Sequence, residues 1–312
     1  MSEWTPDIAR LQAGADEEWF AVQRHYFGRL MAYVARRVPD RGAREDVLQE
    51  TFLGAVRGIQ DFDLQYTFEQ YLFGIAKNRT IDWLRRTRTA TLSAGGDEDA
   101  PPPIESLARE TDTPSRIVQR RDLAASGARL LAETLRRWVQ ETWEEQEFTR
   151  LAVIEALFSG GWRNRDTWQR FQLRDETSVA GIKFRALRRL RELAAERDPE
   201  GLLSRLLSEA LDSGESDVHF DVGELWKKAR VSCPSRHWLA RLVAGTLAPG
   251  PAGFVRFHLD EMNCEWCQAN RDDLERSERD AELAPLLESL QASTLRYLRS
   301  RTLPPGTPPR AT

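Results

Sequence analysis

The chain has 312 residues, enough for two or three domains, with 45 lysines and arginines against 49 aspartates and glutamates. Its formal net charge of −4 excludes a basic field over the whole molecule, so any surface that binds nucleic acid has to be local. No apolar stretch approaches the roughly 18 residues of a membrane span. Residues 1–10 lack the pattern of a secretory signal, so we expect a cytoplasmic protein that does not associate with a membrane.

Helical periodicity and sparse strand signals predict an all-α chain. Apolar residues recur at helical spacing from Asp16 until the cluster at 39–42 ends the first long helix. A second helix is predicted over 44–59. One of its faces is apolar (Leu48, Phe52, Val56 and Ile59), and the other is polar (Glu45, Asp46, Gln49 and Glu50).

A polar loop over 61–67 leads into a third helix that begins near Phe68. The apolar stripe of this helix breaks up after Ala76, where basic residues crowd around Trp83. Cations interleaved with aromatic rings suit single-stranded nucleic acid, since the cations meet phosphates and the rings stack on unpaired bases. A basic helix end that is simply solvated is the alternative interpretation.

Two stretches of this segment, REDVLQETF and FEQYLFGIAKNRTIDWLRR, resemble the polymerase-binding and promoter −10 motifs of the extracytoplasmic-function sigma factors of bacterial RNA polymerase. The resemblance covers residues 16–88, which correspond to region 2 of that family. It implies a binding protein rather than an enzyme, whose partners are promoter DNA and core RNA polymerase, through the β′ and β subunits. It assigns polymerase docking to Asp46, Gln49, Glu50 and Phe52, and −10 binding to Asp61, Phe62, Tyr66, Lys77, Asn78, Arg79, Trp83 and Arg86.

A linker rich in Gly, Pro and acidic residues is predicted over 89–114, and helical periodicity resumes over 115–198. Within the latter, DETSVAGIKFRALRRLREL resembles the region 4 helix that reads the promoter −35 element. The resemblance implies a helix-turn-helix and assigns −35 binding to Thr177, Ser178, Lys183, Arg185, Arg188 and Arg189. The preceding segment, GGWRNRDTWQRF, is richer in Trp and Arg than the first helix of that motif. A solvated amphipathic helix is the alternative.

A C-terminal extension over 218–298 contains all three cysteines. Two thiolates in a Cys-x-x-Cys pair, an upstream imidazole and a distant fourth ligand are typical of a structural zinc site. The candidate ligands are Cys233, His258, Cys264 and Cys267, with His237 as a reserve candidate. The string resembles the zinc-binding anti-sigma domain, with a longer His-to-Cys spacing than is usual there. Reduced cysteines packed as small hydrophobic residues, or a thiol–disulfide pair, are the alternatives.

Three functions are compatible with these patterns. The first is a sigma factor with the extension as a fused regulatory module, or alternatively as a purely structural tail. A separate anti-sigma factor is compatible with this function but is not required. The second is a helix-turn-helix regulator that does not associate with polymerase, and the intact REDVLQETF motif disfavours it. The third is a zinc hydrolase, which needs an open metal position and a nearby general base. No such base has motif-like spacing, although Glu261 lies close to the cysteines.

Overall fold

A computed structural model describes residues 4–64, 66–93, 118–198, 201, 222–276 and 280–302. These residues contain α-helices and one short 3-10 helix, Ile59–Asp61, and no strand, which confirms the all-α prediction. None of the described helices combines the length and the hydrophobicity of a membrane span. The α-helices are α1 Ile8–Gln12, α2 Asp16–Ala35, α3 Arg41–Gly58, α4 Phe68–Ser93, α5 Val118–Glu144, α6 Phe148–Phe158, α7 Asn164–Arg170, α8 Glu176–Arg197, α9 Val222–Lys228, α10 Arg236–Val243, α11 Pro249–Asp260, α12 Glu265–Arg276 and α13 Asp280–Thr302.

The chain divides into two compact units. The first contains Met1–Thr111 and Ala269–Thr312, and the second contains Asp112–Gln268. The predicted extension over 218–298 therefore does not form a unit of its own, because its helices are shared between the two. The division falls inside α12, between Gln268 and Ala269.

The first unit is built on α2, α3 and α4, which pack against one another. Capping residues fix where two of these helices begin. Asp40 accepts a hydrogen bond from the amide of Ala43 at the start of α3. Thr67 and Gln70 bond reciprocally at the start of α4, with each side chain accepting from the other's backbone amide. The core between the helices is apolar and includes Trp19, Leu30, Leu48, Phe52 and Leu72.

Helix α13 belongs to the same unit, where it packs against both α2 and α3. Its inward face combines apolar side chains, Leu290 and Leu298, with two buried hydroxyls, Ser293 and Thr294. A 3.6-residue period brings these positions to one side of the helix. The helix therefore adds a fourth element to the bundle that the sequence predicted from residues 16–88.

The second unit joins the predicted region 4 segment to the first part of the extension. Helices α5, α6 and α8 pack together, and α7 and α8 form a helix-turn-helix-like pair. Helices α9 and α11 pack against α6, and the buried side chains include Leu135, Trp138, Leu151 and Trp226. The apolar surface of α6 is thus covered partly by helices of the extension.

The predicted linker lies mainly outside the described residues, since 94–117 are not among them. Helix α4 continues to Ser93, five residues into the segment 89–114 that the sequence assigned to the linker. Periodicity did not locate this helix end, because the last turns of α4 carry polar residues that are common in helices and loops alike.

Candidate nucleic-acid interfaces and metal centre

The predicted docking face on α3 is exposed only in part. Asp46 and Glu50 are exposed, and Gln49 is half-buried. Phe52 is 1% exposed, so it packs in the core beneath this face and does not contribute to its surface. We therefore call Asp46, Gln49 and Glu50 the α3 face.

Helix α13 lies against α2 and the α3 face. The Gln49 side chain donates a hydrogen bond to Ser293 Oγ over 3.2 Å. Nearby, the Gln23 amide donates to Thr294 Oγ1 over 2.7 Å, and both side chains are buried. The guanidinium of Arg57 lies 5.3 Å from the ring centre of Tyr297. The contact surface on α3 thus includes one of the residues that the sequence assigned to polymerase docking.

Helix α2 also contacts the end of α12. Arg36 donates two hydrogen bonds to the Asp272 carboxylate, over 2.6 and 2.8 Å, in the paired geometry that guanidinium and carboxylate favour. About two turns earlier on α2, Gly28 faces Asp273. A Cβ atom on residue 28 would overlap the Asp273 carboxylate. Only glycine permits this approach without displacement of the neighbouring side chain.

The predicted −10 residues lie in the loop after α3 and along α4. Asp61 and Tyr66 are exposed, whereas Phe62 is half-buried, with its ring 5.1 Å from that of Tyr71. Tyr71 donates a hydrogen bond to the carbonyl of Ala55, which fixes this side of the loop to α3. Burial, assisted by the charge of Asp61, raises the pKa of Tyr71 to about 12, so the phenol stays a donor at neutral pH.

On α4 itself the cations face solvent. Lys77, Asn78 and Arg86 are exposed, while Arg79 and Trp83 are half-buried. Arg79 lies 3.9 Å from Asp82, an ion pair between partly exposed groups that contributes little to stability. The cations that the sequence proposed for phosphate contact are therefore on the surface of the first unit, with Trp83 among them.

Helix α8 begins at a well-defined cap. The Asp175 carboxylate accepts hydrogen bonds from the amide and the hydroxyl of Ser178, so the Ser178 side chain is used within the cap. Thr177, Lys183, Arg185 and Arg188 are exposed. Phe184, which the sequence analysis did not single out, is 63% exposed among them. A shallow groove at this end of the helix is lined by Arg174, Asp175, Thr177, Ser178, Gly181, Ile182 and Arg185.

Arg189 differs from the other predicted −35 residues because its guanidinium bonds to carboxylates of the chain. Its guanidinium donates to both carboxylate oxygens of Glu141, over 3.0 and 3.1 Å, and also reaches Glu192. Hydrogen bonding to Glu141 lowers the carboxylate's pKa and raises that of the guanidinium. Arg189 thus ties α8 to α5.

The unusual Trp and Arg content before α8 has a structural explanation. The rings of Trp162 and Phe171 lie 5.9 and 5.2 Å from the ring of Phe257 on α11. Arg170 forms a paired ion contact with Glu261, just after α11. Trp162 and Arg170, two of the residues that depart from the family pattern, therefore attach this helix pair to the extension.

The structure brings the four predicted metal ligands together. The donor atoms of Cys233, His258, Cys264 and Cys267 all lie within 4.8 Å of one another. The sulfurs of Cys233 and Cys264 are 3.7 Å apart, and His258 Nε2 is 3.3 Å from the Cys267 sulfur. A tetrahedral zinc with Zn–S bonds of about 2.3 Å and Zn–N bonds of about 2.0 Å separates its sulfurs by about 3.8 Å and sulfur from nitrogen by about 3.5 Å. The four donors fit such an ion.

The longer His-to-Cys spacing is accommodated by an ordered loop. Asn263 adopts a φ of 51°, in the left-handed region that asparagine tolerates better than most residues. The Gln268 side chain donates to the carbonyl of Leu259 and to the side chain of Asn263, over 2.8 and 2.7 Å. These bonds close the loop, so that His258 and Cys264 still reach the same point.

Charge in the cluster is shared among the four side chains. Hydrogen bonds from the thiols of Cys233 and Cys267, with the nearby imidazole of His258, hold the pKa of Cys264 well below its ordinary value. Burial raises the pKa of Cys267. Burial lowers the pKa of His258, but the carboxylate of Glu155 and the thiolate of Cys264 outweigh it and raise that pKa well above its usual value. Electron-rich groups surround the point that the four donors face.

Sequence reasoning missed the polar residues that organise both units, namely Gln23, Ser293, Thr294 and Glu155. A signal was available for two of them, because each interrupts an apolar helix face. Gln23 follows Val22 in the stripe of α2, and Glu155 stands in the otherwise apolar run LAVIEALF. Buried polar side chains are hydrogen-bonded in folded proteins, so such positions predict a partner without naming it.

Comparisons with known proteins find a family match within the first unit. Residues 22–90 match the family described as Sigma-70 region 2. Over 111 residues the chain is 36% identical to the RNA polymerase sigma factor NccH of Alcaligenes xylosoxydans xylosoxydans, covering 34% of this chain and 55% of that protein. Over 57 residues it is 33% identical to a probable RNA polymerase sigma factor of Haemophilus influenzae, covering 18% of this chain and 29% of that protein. The chain thus spans about half the length of the first relative, at 55%. No solved structure matches it significantly.

Proposed function

We propose that this chain, which carries region 2 of the sigma-70 family, is a sigma factor that binds core RNA polymerase and directs promoter-specific transcription initiation. The observation that carries the proposal is the match over residues 22–90, which contains both the α3 face and the basic end of α4. We assign the chain to binding rather than catalysis, and to the cytoplasm, where core polymerase and promoter DNA are found.

Polymerase docking is assigned to the α3 face. Asp46 and Glu50 are exposed carboxylates one turn apart on α3, and both are free of the core that Phe52 helps to form. By the resemblance of REDVLQETF, their partner is the β′ subunit, and β is a further contact. Charged residues at such a surface steer association and fix its register.

Promoter contact is assigned to two surfaces. In the first unit, Lys77 and Arg86 contact phosphates of a separated strand, while Tyr66 and Trp83 offer rings for base stacking. In the second, the start of α8 presents Thr177 and Arg185 to base edges, and Arg188 to phosphate. Arg189 is left out of this assignment, because its guanidinium bonds to Glu141.

A DNA-binding regulator that works without polymerase is the second candidate. It would need only the α7–α8 pair and would leave the α3 face without a role. The match to Sigma-70 region 2 favours the first candidate, because a regulator that does not bind polymerase has no need of that region.

We further propose one structural zinc ion held by Cys233, His258, Cys264 and Cys267. Four protein ligands complete a tetrahedron and leave no position for a reacting water, which favours a structural ion over a hydrolytic one. The ion would join the loop before α10, the end of α11 and the start of α12, three segments that are distant in sequence. Metal binding of this kind contributes directly to folding.

Regulation in cis is assigned to α13. The helix packs on α2 and on the α3 face, and it engages Gln49 directly. A partner protein that binds the α3 face has to compete with this helix. Because the helix is covalently attached, its effective concentration is of order millimolar even when the contact itself is weak. A separate anti-sigma factor is then unnecessary for repression.

Charge reversal on the α3 face tests the function. Asp46→Lys with Glu50→Lys should weaken binding to core RNA polymerase about tenfold or more, because like charges across an interface are costly. Promoter-dependent transcripts in a purified system should fall in parallel, and stability should change by only about 0.5 kcal/mol. The control is Glu144→Lys with Glu145→Lys, the same charge change at two exposed positions, the last residue of α5 and the residue after it. Transcription that needs neither this chain nor an intact α3 face would contradict the proposal.

Metal content tests the proposed zinc site. The purified full chain should carry about one zinc per molecule by native mass spectrometry, and Cys264→Ser with Cys267→Ser should remove it. His237→Ala, an exposed histidine outside the cluster, should keep the ion. A chain without metal that instead forms a disulfide between Cys233 and Cys264 would decide for the thiol–disulfide alternative.

Release of α13 tests regulation. Thr294→Arg places a charge opposite buried Gln23 and should displace the helix, so that affinity for core polymerase and transcript yield both rise. Ser300→Arg makes the same change at an exposed position of the same helix and should have no effect. Equal affinities for the parent and Thr294→Arg, with the mutant shown to be folded by circular dichroism, would refute regulation by this helix.

A further inference from the structure

Helix α6 contains one carboxylate in an apolar setting. Glu155 is 1% exposed, and its neighbours Leu151, Ala152, Val153, Ile154 and Ala156 are buried as well. A buried charge is costly unless it is paired and hydrogen-bonded. The position therefore requires specific partners, and these come from the extension.

Both partners of Glu155 bond to the same oxygen. Its Oε1 accepts a hydrogen bond from Ser232 Oγ over 2.6 Å and lies 2.7 Å from His258 Nδ1. The Ser232 hydroxyl in turn accepts from the indole nitrogen of Trp226 over 2.7 Å. Because an indole N–H can only donate, Ser232 accepts from Trp226 and gives its own hydrogen to Glu155.

This arrangement determines which nitrogen of His258 faces the cysteines. Nδ1 is engaged by Glu155, and Nε2 lies 3.3 Å from the Cys267 sulfur, on the side of the four donors. In a metal-bound chain, a carboxylate that accepts from Nδ1 would keep the proton on that nitrogen, leave the lone pair of Nε2 for the ion, and hold the ring in place. Glu155 therefore selects the form of His258 that binds a metal ion.

We propose that Glu155, a residue of α6 in the predicted region 4 segment, is a positioning residue for the metal centre of the extension. This inference rests on the zinc site proposed above. Its consequence is a reciprocal one: the ion stabilises the packing of α6 against α9 and α11, and that packing strengthens ion binding. The metal centre then links the predicted region 4 segment to the extension, within the second unit.

A structural role for Glu155 predicts different behaviour. If the carboxylate served only to satisfy Ser232, its loss would destabilise the metal-free and the metal-loaded chain equally. If it positions His258, its loss acts mainly on the loaded form, because only there must Nε2 present a lone pair. The two roles are separated by measuring metal affinity together with the stability of both forms.

The test is Glu155→Gln in the full chain, with Glu141→Gln as the matched control. Both changes remove one carboxylate charge from a hydrogen-bonded pair, but Glu141 bonds to arginines and touches no ligand. Zinc affinity, measured by competition with a chelator, should fall 10- to 100-fold in Glu155→Gln and stay unchanged in the control. The absorption bands of the Co²⁺-loaded chain should shift only in Glu155→Gln, and its gain in Tm on zinc binding should shrink.

The possible outcomes separate the role of Glu155 from the existence of the metal site. Equal zinc affinity and equal Co²⁺ spectra in the parent and Glu155→Gln would overturn the role of Glu155 and leave the metal site standing. A parent that binds neither Zn²⁺ nor Co²⁺ would overturn both. If Glu155→Gln does not fold, nitrogen-15 NMR of the zinc-loaded parent decides instead. A protonated Nδ1 with a metal-bound Nε2 on His258 supports the inference, and a metal-bound Nδ1 refutes it.

Discussion

The buried hydrogen bond between Gln23 and Thr294 is the contact on which the organisation of the first unit depends. An apolar helix pair can slide or rotate with small changes in free energy, whereas a buried amide left without its partner costs about 1–3 kcal/mol. The bond therefore sets the register of α13 on α2 and brings Ser293 opposite Gln49. The same helix that completes the bundle occupies part of the surface to which we assign polymerase docking.

The second unit is organised by the same principle. A polar chain from Trp226 through Ser232 and Glu155 to His258 runs through an otherwise apolar core. It connects α9, α6 and α11, and the aromatic contacts of Phe257 with Trp162 and Phe171 extend the attachment to the helix-turn-helix. The segment that resembles region 4 is thus folded together with the first part of the extension, and not as an independent promoter-reading domain.

Local patterns in the sequence predicted much of this structure, and distant pairings predicted none of it. Periodicity placed α2, α3 and α8, and it put Phe52 in the core stripe, although the family resemblance placed the same residue on the docking face. Spacing found the four donors at 233–267, which the fold brings together. Glu155 and His258 are separated by 103 residues, and Gln23 and Thr294 by 271. Without an alignment, a single sequence shows that such buried polar residues need partners, but the partners are fixed only by the tertiary fold.

Hydrogen–deuterium exchange of the full chain, with and without core RNA polymerase, measures directly whether α13 leaves the α3 face. Backbone amides exchange slowly while a helix is packed and quickly once it is released. We expect residues 286–300 of α13 to be protected in the free chain and to lose protection when polymerase binds, while residues 44–58 of α3 stay protected. Unchanged protection of α13 in the polymerase complex, or no complex at all, would contradict this expectation.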